Sequence, residues 1–154
     1  MSQKAVLFVC LGNICRSPMA EATLRAEAVA QGLALTIDSA GTSGLHTGEG
    51  ADPRAVAEAM RRGVDLSKHR ARQVTTEDFQ RFGHIFALDQ QNLRDLQRFA
   101  PRRTLGKVGL LLDMVPGRAG QAVIDPYYGG PDDFATAWDD AAQAARFIVA
   151  QLAR

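Results

Sequence analysis

The chain has 154 residues, 46% of them apolar, which is enough to bury one core without disulfide or metal staples. Lys and Arg number 18 against 17 Asp and Glu, a net charge of +1, and no run of five like charges occurs, so bulk electrostatics favours neither nucleic acid nor an anionic membrane as partner. Two cysteines exclude a secreted disulfide framework, no second Cys/His cluster completes a zinc site, and the longest apolar run, residues 5–11, is too short to span a bilayer. The expectation is a single domain over 1–154 in a reducing cytoplasm, with no export signal, metal or cofactor.

Ala5 to Cys10 is continuously apolar and β-rich, and Gly12 and Asn13 follow at once, so it predicts a central strand buried on both faces. A helix follows, with Pro18 in its first turn, apolar residues from Met19 to Ala30 at helical spacing, and Gly32 as its stop. A short strand fits Leu35 to Ser39, a turn-rich segment fills 40–52, and Pro53 opens a helix that ends at Gly63. His84 to Leu88 reads as a third strand, Gln90 to Phe99 as a helix, Gly106 to Leu112 as a fourth strand, and 113–133 as a long loop. Phe134 to Ala153 closes the chain as the clearest helix, with Trp138 on its apolar face. Strands alternating with helices predict an α/β fold of three layers, a mainly parallel four-stranded sheet with helices on both faces. In such sheets ligands sit at the carboxyl ends of strands, where Cys10 falls.

The loop Cys10-Leu-Gly-Asn-Ile-Cys-Arg-Ser17 joins that strand to that helix, and a tight turn alone has no need of Cys or Arg. Successive backbone N–H groups of residues 11–17, entering a helix N-terminus, form an anion-binding concavity of phosphate size. Gly12 takes positive φ freely and Asn13 tolerates it, so the chain can curl, and Arg16 can close the ring on two phosphate oxygens with its planar fork. Cys10 at the base lies in the helix field near a guanidinium, an environment that favours thiolate and makes it a nucleophile toward phosphorus. Ser17 is placed to donate a hydrogen bond to it.

Val6-Leu-Phe-Val-Cys-Leu-Gly-Asn-Ile-Cys-Arg-Ser-Pro-Met-Ala-Glu21 resembles the phosphate loop of the low-molecular-weight protein-tyrosine phosphatases. Asp38-Ser-Ala-Gly-Thr-Ser-Gly44, His69-Arg-Ala-Arg-Gln73, and Asp89 with Asn92-Leu-Arg-Asp-Leu96 match that family in its order, and Asp125-Pro-Tyr-Tyr128 resembles its acid loop. The resemblance spans nearly the whole chain. It implies a metal-independent phosphatase acting on phosphotyrosine through a phosphocysteine intermediate. Cys10 is then the nucleophile, Arg16 binds phosphate, Asp125 is general acid and later base, and Asn13, Ser17, Ser39 and His69 brace the loop. It also implies tyrosine-phosphorylated protein substrates, inorganic phosphate as product, a monomer or weak homodimer, and reversible oxidative shut-off by pairing Cys10 with Cys15.

Pro126 fixes the backbone after Asp125, and Tyr127 and Tyr128 supply bulk, so a partly desolvated carboxyl is expected there, with Tyr127 as a wall for the substrate ring. Leu45 departs from the family pattern, where many members carry Trp or Tyr at the pocket entrance. Ile14 stands where members acting on phosphoarginine carry Thr, which favours the tyrosine reading over that sister activity. A different class, a phospho-ligand binding or thiol redox-sensing module, would retain the loop without turnover. His46 and His84 read as isolated surface or core histidines, and Arg61, Arg62, Arg70, Arg72, Arg102 and Arg103 as solvated charges unless they gather at the pocket mouth.

Overall fold

The computed structural model describes residues 2–154, and its sheet is built around β1 (Ser2–Cys10). Val6 to Val9 are all but inaccessible because helices cover both faces of the strand, which accounts for the unbroken apolar run. The remaining elements follow as α1 (Arg16–Ala30), β2 (Thr36–Gly41), α2 (Pro53–Arg61), α3 (Asp78–Arg81), β3 (Phe82–Ala87), α4 (Gln90–Phe99), β4 (Val108–Leu110) and α5 (Pro131–Leu152). Four parallel strands lie in the order β2-β1-β3-β4, with Phe8 opposite both Ser39 and Phe86. The expected α/β architecture is therefore present.

Strand alternation divides the core in two. Val6, Phe8 and Cys10 join Met19 and Leu24 of α1 and Trp138 and Ile148 of α5 on one face. Ala5, Leu7 and Val9 join Phe79 of α3, Phe82 and Leu96 of α4 on the other. Each large side chain so buried contributes about 1.5–3 kcal/mol of transfer free energy.

Several elements differ from expectation: β1 starts at Ser2, β2 spans Thr36–Gly41 and β3 spans Phe82–Ala87, and β4, α5 and α3 differ as well. β4 is only three residues long, because 3₁₀ turns at Arg102–Lys107 and Leu111–Met114 take the backbone bonds on either side of it. α5 begins at Pro131 rather than Phe134, since Pro at the first position and Asp132 and Asp133 in the first turn favour a helix N-terminus. The single turn of α3 lies in a stretch too short to show periodicity. Because all strands run the same way, the loops after β1, β2, β3 and β4 gather at one edge, and the site lies there.

Candidate active site

Cys10 is the last residue of β1, 4% exposed, on the floor of a cavity of about 280 Å3. Its Sγ lies 3.0 Å from Ser17 Oγ, and hydrogen-bond direction tells which atom donates. Asn13 Nδ2 donates to Ser17 Oγ at 2.8 Å and to Ser39 Oγ at 3.0 Å, so both hydroxyls accept from it and keep their own protons for other partners. Ser39 Oγ donates to Glu21 Oε1 at 2.6 Å. Ser17 has a second acceptor only at 3.5 Å, the Ala40 carbonyl, so its O–H points at Cys10.

Asn13 anchors this arrangement. It is fully buried, takes φ 59°, and accepts from Arg72 N–H at its Oδ1, while its carbonyl accepts from His69 Nε2 at 2.8 Å. Every polar atom of its side chain is thus occupied within the protein. The four residues expected to brace the loop, Asn13, Ser17, Ser39 and His69, form one connected network, and the side chains of Asn13 and Ser17 lie beneath the pocket rather than in it. Gly12, expected in the left-handed region, lies outside it. A Cβ there would stand 2.9 Å from His46 Cδ2, so that ring would have to move to admit one.

Arg16 opens α1, and Cys15 at the N-cap position does not cap the helix with its side chain, so the first N–H groups stay available to an anion. The Arg16 side chain is 4% exposed. Its NH1 donates to Asp89 Oδ2 at 2.7 Å and to the Val123 carbonyl at 3.2 Å, a double hold that fixes the guanidinium in the cavity wall. NH2 stands 3.6 Å from Asp125 Oδ2. Asp89 does two jobs with one carboxylate, since its Oδ1 caps α4 by accepting from Asn92 N–H.

Asp125 lines the same cavity, at the N-cap of a 3₁₀ turn over Pro126–Tyr128, accepting from Tyr127 N–H. Contrary to expectation it is not desolvated: its side chain is 48% exposed, because Pro126 is the residue that packs inward and the two tyrosines turn outward. Tyr127 and Tyr128 pack edge to face at 4.9 Å on the rim, and Tyr128 is almost fully exposed. Leu11, Ile14, Cys15 and Leu45 also line the cavity, Leu45 with its side chain largely in solvent.

His46 is not an isolated residue. It forms part of the pocket wall and its Nδ1 lies 3.1 Å from Glu49 Oε1. Burial, followed by the nearby charges of Asp52, Cys10 and Asp125, raises the Cys15 thiol well above its ordinary range. Asp52 is held below the usual carboxylate range by the Arg54 side chain, and that guanidinium sits over the rings of Tyr127 at 5.5 Å and Phe134 at 4.7 Å. Of the six arginines considered at the mouth, none lines the cavity: Arg61 and Arg62 pair with Glu58, and Arg72 with Asp78 and Asp38. The sequence alone assigns no role to Asp89 or Glu21. Asp89 carried a legible signal, an N-cap directly after a strand on the Cys10 edge, whereas nothing local marked Glu21 or His46.

The sequence pattern that defines the low molecular weight phosphotyrosine protein phosphatases matches residues 5–154. A Schizosaccharomyces pombe protein named low molecular weight phosphotyrosine protein phosphatase is 47% identical over 132 residues, 84% of each chain. A protein tyrosine phosphatase from Entamoeba histolytica, solved with Hepes in the active site, superposes with a TM-score of 0.92 at 35% identity, covering 97% of this chain and 96% of that one. The arginine phosphatase YwlE of Bacillus subtilis superposes with a TM-score of 0.88 at 30% identity, covering 97% and 96%.

Proposed function

The chain belongs to the low molecular weight phosphotyrosine protein phosphatase family, and from that premise we propose that Cys10, Arg16 and Asp125 hydrolyse phosphotyrosine in two steps. In the first, the Cys10 thiolate forms an S–P bond as the P–O bond to the phenol breaks, and Asp125 gives its proton to the leaving oxygen. Arg16 NH2 and Nε and the N–H groups of the loop hold the equatorial oxygens. In the second, Asp125 takes a proton from water, the new O–P bond forms, the S–P bond breaks, and inorganic phosphate leaves. The Ser17 O–H stabilises the thiolate as it departs.

The observation that carries this reading is the placing of three groups around one cavity: Cys10 on the floor, Arg16 on the wall with NH2 in ion-pair reach of Asp125, and Asp125 on the rim. Tyrosine-phosphorylated proteins are the substrates it implies, and a reducing cytoplasm its setting, because Cys10 attacks only in its reduced form. Phosphoarginine is the competing substrate. Ile14 supports the phenyl ester, since it brings only hydrocarbon to the pocket wall.

The test compares wild type, Cys10→Ser and Asp125→Asn on p-nitrophenyl and phenyl phosphate with chelator and reductant present. Cys10→Ser is expected to be inactive. Asp125→Asn should lose roughly 10²–10⁴-fold on phenyl phosphate and much less on the p-nitrophenyl ester, whose leaving group needs no proton. A folded, reduced wild type without activity would leave a phosphate-binding or thiol-sensing module as the better account. Higher kcat/KM on phosphoarginine than on phosphotyrosine would reassign the substrate.

A further inference from the structure

Beside the catalytic cavity lies a second groove of about 380 Å3, and Leu11 and Ser43 line both. It runs between the loop after β2 and helix α4. Leu96 of α4, fully buried, forms its floor, while Leu11 and Phe99 leave 54% and 46% of their surfaces exposed along it. Two large apolar side chains at solvent in one depression mark a surface that a ligand covers more readily than an ordinary polar wall.

The groove also holds one carboxylate. Asp95 is 29% exposed, and both of its neighbours approach the same oxygen, Oδ1: Gln91 Nε2 at 2.9 Å and Arg98 NH2 at 4.0 Å. Arg98 is 74% exposed and at the limit of an ion pair, so its hold is weak and a better-placed cation displaces it. Thr42 Oγ1 in the same wall has no hydrogen-bond partner among the described residues.

We propose that this groove is a substrate subsite for a lysine or arginine that flanks the phosphotyrosine. The proposal rests on the phosphotyrosine reading of the adjoining cavity. Such a side chain fits both parts of the wall, laying its methylenes on Leu11, Leu96 and Phe99 and bringing its cation to Asp95. A purely apolar residue would cover the carboxylate without pairing it, and an acidic one would meet a like charge. The shared residues give the continuity required, because a peptide whose phosphotyrosine enters the catalytic cavity passes over Leu11 and Ser43 to reach this groove.

The experiment uses phosphotyrosine peptides in which a single Lys, norleucine or Glu is walked from two residues before the phosphotyrosine to two after it. Norleucine matches the lysine stem without its charge, so the Lys to norleucine ratio of kcat/KM isolates the ion pair. For wild type that ratio should be about three- to tenfold at one position. It should fall to near one in Asp95→Asn, and Asp95→Lys should prefer Glu over Lys at the same position. Equal use of Lys and norleucine at every position by a wild type that hydrolyses p-nitrophenyl phosphate would overturn the subsite alone. An unchanged ratio in Asp95→Asn would do the same. A wild type that hydrolyses neither ester nor peptide would take the subsite down together with the phosphatase reading.

Discussion

Replacing Asn13 by Gly and, separately, by Ala separates two things the residue supplies: three side-chain hydrogen bonds and a left-handed backbone. Either change removes the donors to Ser17 and Ser39 and the acceptor for Arg72 N–H. At about 0.5–1.5 kcal/mol net each, the loss of all three costs about 1.5–4.5 kcal/mol, a large part of an ordinary domain's stability. The backbone term then distinguishes the variants. At φ 59° an Ala Cβ crowds the following carbonyl, at a cost of about 1–2 kcal/mol that Gly avoids, while the extra freedom of unfolded Gly gives back about 0.5–1 kcal/mol. Asn13→Gly should therefore unfold in urea at higher concentration than Asn13→Ala, by roughly 0.5–1 kcal/mol with equal m-values. Since Gly keeps the loop curled, inhibition by inorganic phosphate should stay closer to wild type in Asn13→Gly than in Asn13→Ala. An Ala variant as stable as the Gly one, or binding phosphate equally well, would refute the claim that loop curvature depends on this one residue.

Arg54 joins the acid loop to the loop after β2, being tied to Asp52 at 2.9 Å and stacked on Tyr127 and Phe134. Arg54→Ala should slow phenyl phosphate about three- to tenfold and the p-nitrophenyl ester less; equal losses in a leaving-group series would show that the contact does not position Asp125. Cys15, with its thiol pushed up by burial, should stay unlabelled by iodoacetamide at pH 8 in the folded protein, as read by peptide mass spectrometry. Because its folded value is raised above the ordinary 9.0, the stability it contributes is whole below pH 9 and declines above it, where the unfolded thiol ionises and the native one does not. Unfolding at pH 8 and pH 10 should show a shallower decline in Cys15→Ala than in wild type, and an equal slope would contradict the burial argument. Leu45→Trp should lower KM for aryl phosphates with little effect on small alkyl phosphates, because its largely exposed position on the rim reaches the substrate ring and not the phosphate; equal effects on both would place it elsewhere.

The parts of this molecule legible in the sequence are those in which one short segment carries the whole signal. β1 announces itself because burial on both faces demands an unbroken apolar run, and the loop after it because Cys10, Asn13, Arg16 and Ser17 are adjacent in the chain. β4 is shorter than the 106–112 its sequence predicts, because three paired residues leave no periodicity. The partners that set the site's geometry come from far along the chain. Asp89 is 73 residues from Arg16 and His69 is 56 from Asn13, and such contacts are fixed by the tertiary fold. Gly12 teaches the converse lesson. A glycine in a tight loop invites a dihedral explanation, yet what crowds this one is the ring of His46, a neighbour whose position only the folded chain discloses.

The exposure of Asp125 changes how the chemistry is to be understood. Pattern alone suggested a carboxyl withdrawn from water, suited to act as an acid once. In the proposed cycle, however, the same oxygen pair must meet two partners in turn, a departing phenol and then an incoming water, and a sealed carboxyl would serve the first and obstruct the second. The nucleophile has the opposite need, since its attack requires a fixed distance and line to phosphorus. The chain divides these tasks between unlike elements. Cys10 ends a strand buried on both faces and is held by Ser17, whereas Asp125 caps a short turn with its side chain half in solvent and its backbone secured by the buried Pro126. Arg16 links the two, with NH1 locked to Asp89 and NH2 in ion-pair reach of Asp125. Rigidity at the sulfur and access at the carboxyl are thus two halves of one requirement, and the guanidinium between them keeps both in register.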